Sequence, residues 1–513
     1  MVDDIEQTQA DAYIPGQDGE PGAKSSALRV VAPQEMPNAL RDDVRRFGSK
    51  LGVILREAGG QELLDDVENL RALTIKAFGN DDTKALEEAA ALVDSFSIER
   101  ADEVARAFTV YFHLINLAEE YHRALALLKQ EHEPAPELVR GVDYVEESMP
   151  VAFRKLADEI GHEAALQRIQ EMEFRPVLTA HPTEARRRAV SRAIRRMTLL
   201  LEHRDQVRPT GTALHELERT FLAEIDILWR TAPIRAVRPT PLDEVKSAIN
   251  VFDSTLFDVV PSVYRRLDDF LLGETAGWDK PVAPSFVRLG SWIGADRDGN
   301  PNVTADVTRR AAAMASEHVL QALENHCRHI ARKITISDND TPPSDALRAL
   351  NSKLRALDPK LSKTVDIEAP NETHRATLAL IAARIEATRL RNADLAYPNS
   401  EQLDKDLRVV QQSLVNAGAP RSAYGQLQRL IWQVETFGFH MAEMEFRQHS
   451  QVHAEALADI REKGAFSPDL EEHTVEVLDT FRALGALQAR LGVRAARRYI
   501  VSFTQSAEHL GAV

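Results

Sequence analysis

Arg175-Pro-Val-Leu-Thr-Ala-His-Pro-Thr-Glu-Ala-Arg-Arg-Arg188 decides how this chain reads. Pro176 is tolerated where a strand begins. Val177, Leu178 and Ala180 are small or branched, as suits a strand covered on both faces. His181-Pro-Thr183 then breaks the pattern with a polar turn. Val190, Ile194, Met197 and Leu201 recur at helical spacing, with Arg186, Arg187, Arg188, Arg192, Arg195 and Arg196 around them. A histidine on the loop after a strand, beside three arginines, suits a site that handles an anion. A surface histidine ahead of a solvated basic helix face is the commoner case, because functional groups are the minority of titratable residues. Taken alone, the stretch favours that second reading.

The chain has 513 residues, enough for several domains or one elaborated barrel. With 44% hydrophobic and 28% charged residues it can bury a large core. Acidic residues outnumber basic ones, 79 against 63, for a net charge of -16. That excess argues against a nucleic-acid binder. It leaves room for an anionic substrate, since local clusters decide that. Cys327 is the single cysteine, so no intrachain disulfide forms, in keeping with a cytoplasmic location. No apolar run is long enough to span a bilayer. The acidic, polar N-terminus is unlike a signal peptide.

Residues 1–38 are rich in Gly, Pro, Asp and Gln and read as a disordered acidic tail. From Leu40 to about Gln130 the pattern is helical. Its clearest part is Ile98 to Arg123, where Val104, Phe108, Tyr111, Phe112, Ile115 and Tyr121 fall near one face. Past the central stretch, Arg208-Pro-Thr-Gly211 marks the turn of a helical hairpin. Arg235 and Arg238 follow, equally compatible with an anion site and with a solvated basic edge. A second strand, Phe286 to Ile293, runs into Gly294-Ala-Asp-Arg-Asp-Gly-Asn-Pro-Asn302, a turn-forming run. Thr304 is placed to N-cap the next helix. A calcium loop starting at Asp296 needs Gly sixth and Glu twelfth, but Pro301 and Val307 stand there. His326, Cys327 and His329 match no zinc spacing. Residues 336–369 read as loop-rich. The third strand is Phe437 to Gln448, ending in Arg447 and Gln448. His449 and His453 lack the intervening glutamate of a metal-binding helix pair. The fourth strand, Arg498 to Phe503, leads to Ser506.

Val177-Leu-Thr-Ala-His-Pro-Thr-Glu184 with its arginines resembles the first signature of the phosphoenolpyruvate carboxylases. So do Gly290-Ser-Trp-Ile-Gly-Ala-Asp-Arg-Asp-Gly-Asn-Pro301 and Glu445-Phe-Arg-Gln448, in that family's order. Departures are Ile293 for Met, Ala295 for Gly, Glu445 for Asp and Phe446 for Ile. Ala295 matters if the family's glycine needs a positive φ. The resemblance covers nearly everything after residue 39. It implies a mostly α fold built on a partial (β/α) TIM-type barrel with large helical insertions, residues 39–513 forming the N-terminal portion of one such domain. It further implies formation of oxaloacetate and phosphate from phosphoenolpyruvate and bicarbonate with Mg²⁺ or Mn²⁺, in a cytoplasmic homo-oligomer, a tetramer in the family. No nucleic acid and no membrane enter this expectation.

By that resemblance His181 moves the proton on carboxyphosphate, as an imidazole titrating near neutrality suits. Arg447, with Gln448 beside it, clamps phosphate or carboxylate through its planar fork. Arg297 closes over the site on a mobile loop, its bland alternative being a salt bridge to Asp296 or Asp298. Arg187, Arg188 and Arg235 match positions linked to sugar-phosphate activation in some members. The family's metal ligands and glycine-rich loop fall beyond this sequence, so the chain is expected to be inactive alone. The rival expectation is a non-catalytic helical module that binds anionic metabolites or partner proteins through its arginines.

Overall fold

The structure is a computed structural model that describes residues 37–79, 82–132, 149–179, 188–232, 240–298 and 300–513. His181, Arg187 and Arg235 lie outside these, as does the expected tail up to residue 36. Arg188 opens a helix, and only its backbone is described. The chain divides into two compact units, Met1–Val142 with Ala185–Val237, and Asp143–Glu184 with Arg238–Val513.

The first unit is helical. Asn38–Gly79 is interrupted at Gly60, whose φ of 76° no helix interior holds. Ile98–His132 and the hairpin Arg188–Val207 and Gly211–Arg230 complete its core, with Phe47 stacked on Phe221 at 4.9 Å. The hairpin turns through Arg208 and Gly211, both at positive φ. Val190, Met197 and Leu201 are buried as the spacing requires. Phe112 is the exception on its helix: it is 57% exposed, because the buried stripe runs through Val104, Ala107, Leu114 and Tyr121. Beneath these helices Asp43 is buried against Arg204, whose Nη2 donates to it at 2.9 Å, and against His122 Nε2 at 2.9 Å. Tyr121 donates to Asp205 at 2.7 Å. These side chains are satisfied by one another.

The second unit carries the sheet: β1 Val177–Leu178, β2 Gly290–Ser291, β3 Glu443–His449 and β4 Arg498–Ser502. All neighbours pair in parallel and in sequence order, β1-β2-β3-β4. Helices fill the connections, as parallel pairing demands. The longest, Ala305–Lys333, is N-capped by Thr304 and packs along Thr373–Arg389, with Cys327 fully buried between them. Burial pushes that thiol up to about 12, which leaves it inert.

Three expectations need correction here. Val177 is 38% exposed, so β1, which pairs with β2 alone among the described residues, is not covered on both faces. Phe437 to Ala442 is not strand. Phe437 ends the Gln428–Phe437 helix, Gly438 turns it at φ 51°, and Phe437 and Phe439 sink into the core. The interval 336–369 holds two helices, Asp345–Leu357 and Pro359–Glu368. Ser344 caps the first, and Asp358 with Pro359 starts the second, which is where proline belongs in a helix.

At the start of β3, Glu443 is 2% exposed and accepts from Arg494 Nε at 3.2 Å, Arg497 Nε at 3.0 Å and Arg498 Nη1 at 2.8 Å. His440 precedes it, buried, with neither ring nitrogen hydrogen-bonded. Its ring lines a small apolar cavity with Phe252, Met441 and Met444. Burial, then the nearby Arg494, Arg497 and Arg288 guanidinium groups, hold His440 down to about 3. Among the described residues no helix is long and apolar enough to cross a membrane.

Candidate functional site

The C-terminal end of β3 and the turn after β2 meet at one place. Ser291 donates from Oγ to Leu178 O at 3.1 Å and accepts from Ile293 N at 3.2 Å, which bends the chain out of β2. Ala295 N and Asp296 N both donate to Trp292 O at 2.9 Å, closing a tight turn. Gly294 holds that turn at φ 82°. A Cβ at Gly294 would meet Ala311 Cβ at 2.8 Å and Val245 Cγ2 at 3.1 Å, so glycine is required here twice over. Ala295 is not among the residues at positive φ and is fully buried, so its replacement of the family's glycine carries no backbone strain.

The turn then docks on β3 as a short extra rung. Arg447 N donates to Ala295 O at 3.2 Å, and Arg297 N donates to Arg447 O at 3.1 Å. This register aims Arg447 at Trp292, with the guanidinium carbon 3.9 Å from the ring centroid. Such stacking holds a cation flat while leaving its edge N–H groups open to a ligand. Arg447 Nη1 stands 3.7 Å from Asp296 Oδ2, too far for a hydrogen bond. Its Nε is buried and has no hydrogen-bond partner among the described residues. The fork is therefore oriented but largely unspent. Asp296 is raised above the usual carboxylate range by burial, against the lowering effect of the Asp298 N–H at 3.1 Å and of Arg447.

The neighbours on β3 play other parts. Gln448 turns its Oε1 back onto the N–H of His449 at 2.9 Å. His449 caps the Ser450–Lys463 helix, its Nδ1 accepting from Gln451 N at 3.1 Å, and stacks on Phe503 at 4.7 Å. Ser502 pairs with His449 across β3 and β4, while Ser506 lies beyond the sheet.

Arg297 is turned inward in this structure. Its side chain is 4% exposed and lies over Phe446, 5.6 Å from the ring centroid. Nη1 donates to Ala295 O at 3.0 Å and Nη2 to Thr308 Oγ1 at 2.7 Å. The anion nearest its Nε is Glu476 at 3.9 Å, not Asp296 or Asp298. An arginine between two aspartates in a Gly/Asn/Pro run reads as solvated, and nothing local announces Phe446 as its cover. Trp292, the partner of Arg447, was quoted in the second signature but given no role. Its signal was an aromatic residue placed directly before a charged turn.

The donor set does not fit a divalent cation. Asp296 and Asp298 are the carboxylates of the turn, and Asp296 already faces Arg447. Among the described residues no group of three or more His, Cys, Asp or Glu is placed to hold a metal ion. What the described residues present is a guanidinium backed by an aromatic ring, a chemistry suited to an anion.

The family model described as phosphoenolpyruvate carboxylase matches residues 40–467. Among curated proteins, the phosphoenolpyruvate carboxylase of Roseiflexus castenholzii is 31% identical over 519 residues, covering 91% of this chain and 54% of the relative. That of Rhodopseudomonas palustris strain BisA53 is 30% identical, covering 95% and 56%. That of Aromatoleum aromaticum is 31% identical, covering 82% and 46%. The chain spans about half the length of the curated relatives it matches. On the family match and these identities, the chain belongs to the phosphoenolpyruvate carboxylase family.

Proposed function

We propose that this chain contributes the anion-clamping part of a carboxylase site that forms oxaloacetate and phosphate from phosphoenolpyruvate and bicarbonate. The observation that carries this is Arg447, stacked on Trp292 with its edge unspent, at the C-terminal end of a parallel strand. That end is where a β/α barrel gathers its active residues. We read the four parallel strands in sequence order as part of such a barrel.

In this reading Arg447 takes the phosphate or carboxylate of phosphoenolpyruvate, with Gln448 flanking it. His181, three residues beyond β1 in the sequence, accepts the proton of carboxyphosphate, which forms when bicarbonate attacks the phosphoryl group and the pyruvate enolate leaves. Arg187, Arg188 and Arg235 are proposed as an effector site for a sugar phosphate. Mg²⁺ or Mn²⁺ is proposed from the family alone, since the described residues supply no ligand group for it, as is a homotetramer.

The test is phosphoenolpyruvate binding by the 513-residue chain and its Arg447→Met variant. Losing a charge-assisted hydrogen-bonding fork costs about 1.5–3 kcal/mol, or roughly tenfold to a hundredfold in Kd. Equal affinity in both proteins removes Arg447 from the site. In any assembly that makes oxaloacetate, His181→Asn should spare binding and lower turnover by roughly a hundredfold or more. Normal turnover returns His181 to a packing role.

A further inference from the structure

We propose that the cavity beside His440 is a binding site for a small neutral molecule, an apolar body of a few carbons carrying one hydroxyl or carbonyl group. The cavity lies within the second unit, has a volume of about 50 Å³ and is walled mainly by apolar side chains, among them Ile249, Phe252, Ala312, Met441, Met444 and Leu487. The polar side chains on its wall are Ser291 and His440. Ser291 Oγ is already committed, donating to Leu178 O at 3.1 Å and accepting from Ile293 N at 3.2 Å. His440 is 6% exposed, and neither ring nitrogen has a hydrogen-bond partner among the described residues. Leaving such a group unpaired among apolar walls is unfavourable. A ligand hydroxyl or carbonyl in the cavity would supply the missing partner.

The backbone takes an unusual path to put the ring there. Gly438 leaves the Gln428–Phe437 helix at φ 51°, and a Cβ on it would meet His440 Cε1 and Nδ1 at 2.6 Å. Ala442 N then donates to His440 O at 2.8 Å across Met441, whose φ is 68°. A three-residue turn of this hand is rare and strained, the more so on a residue other than glycine. On another wall, Phe252 opens the π-helical segment Phe252–Leu256 between two α-helices. Strained turns and π-helical insertions both concentrate at ligand sites. Size and charge set the ligand class. Cavities about three times larger take benzene, so about two to four non-hydrogen atoms fit here. A buried water needs at least two polar partners, and among the described residues the imidazole is the one uncommitted polar side chain on the wall. An anion would lose its hydration among these apolar side chains. Burial, then the guanidinium groups of Arg494, Arg497 and Arg288, keep the imidazole neutral, and those groups repel a cation. Met444 and Arg447 stand on opposite faces of β3, so this site is separate from the Arg447 edge.

Methyl-labelled methionines in the 513-residue chain test this, because Met441 and Met444 line the cavity while Met197 is fully buried in the first unit. Ethanol and xenon are the probes. Ethanol should shift the Met441 and Met444 methyl signals saturably and leave Met197 in place. Xenon, which fills space without a hydrogen bond, should shift the same pair. His440→Leu keeps a similar side-chain volume and removes both ring nitrogens. It should weaken ethanol binding by about three- to tenfold, the worth of one neutral hydrogen bond, and spare xenon. Ala315→Leu, on the Ala305–Lys333 helix, fills the cavity, leaves His440 in place and should abolish both responses. Equal ethanol affinity in the wild type and His440→Leu overturns the proposal, since an apolar void alone would then do the binding. So does an ethanol response that is absent or never saturates in the wild type, or one that survives Ala315→Leu. A displaced Met197 signal marks a misfolded variant, and the other variant with the wild-type titration then decides by the same criteria.

Discussion

Replacing His440 with leucine should flatten the acid side of the protein's stability curve. His440 is buried beside an apolar cavity, its ring nitrogens have no partners, and three guanidinium groups lie close by. Its pKa falls from the ordinary 6.5 to about 3 in the fold. The native state thus requires neutral imidazole. Above pH ~6.5 both native and unfolded chains carry it neutral, and the group contributes no pH dependence. Between ~6.5 and ~3 the unfolded chain takes up a proton that the native chain refuses, so stability falls as the pH falls, by about 1.4 kcal/mol per unit. From pH 7 to pH 5 this amounts to about 2 kcal/mol, and the full window to at most about 5 kcal/mol. At pH 7 the leucine variant should also be more stable by about 1–3 kcal/mol, because it no longer buries two unpartnered polar atoms. Urea unfolding followed by tryptophan fluorescence at pH 7 and pH 5 measures both effects. Burial also lowers His374 and His453, but their contributions cancel between wild type and variant. Equal loss of stability from pH 7 to pH 5 in the two proteins would show that His440 finds a partner in solution, and the reasoning would fail.

Other perturbations have distinct signatures. Glu443→Gln leaves three arginines around a neutral amide and should cost about 3 kcal/mol, the low end for a broken buried pair because the arginines are 27–31% exposed; a loss below about 1 kcal/mol in urea would show solvent already compensates them. Gly294→Ala should cost about 1–3 kcal/mol through its φ of 82° and the Ala311 contact, seen as a lower Tm, and an unchanged Tm would refute the required turn. In the first unit, Asp43→Asn should cost about 2 kcal/mol by stripping the anion from Arg204 and His122, with faster amide exchange in Asn38–Gly79; unaltered exchange there would make the network dispensable.

Helices were legible wherever an apolar stripe recurred every three or four residues, as at Val190, Met197 and Leu201. Phe112 shows the limit, since on a long helix the stripe drifts and a residue one position off faces water. The prolines at 342, 343 and 359 suggested loop, yet Pro359 opens a helix, which depends on the Asp358 cap more than on proline content. β1 and β2 are two residues each, too short for any alternation to register, so only the motif words located them. Within the site, Arg447 was identified from its motif alone. Its stacking on Trp292 and the inward turn of Arg297 arise from contacts between segments far apart in sequence, which no local pattern encodes. The family's identity was legible from three motifs in order.

The sheet's strand order also bears on how the second unit assembles in time. The side chains of Glu443 and Arg498, at the start of β3 and β4, meet across 55 positions, and the two strands align over five residue pairs. Ser291 reaches Leu178 across 113 positions, and β1 and β2 align over two. Doubling a closed loop adds only about 0.6 kcal/mol of entropy cost, so chain distance barely separates the two closures. The number of bonds gained does. The sheet should therefore grow from β3 and β4 outward, and native-state amide exchange should be slowest there and fastest in β1. The strand that leads into His181 is then the last to dock and the first to come away, while the Arg447 turn is already set.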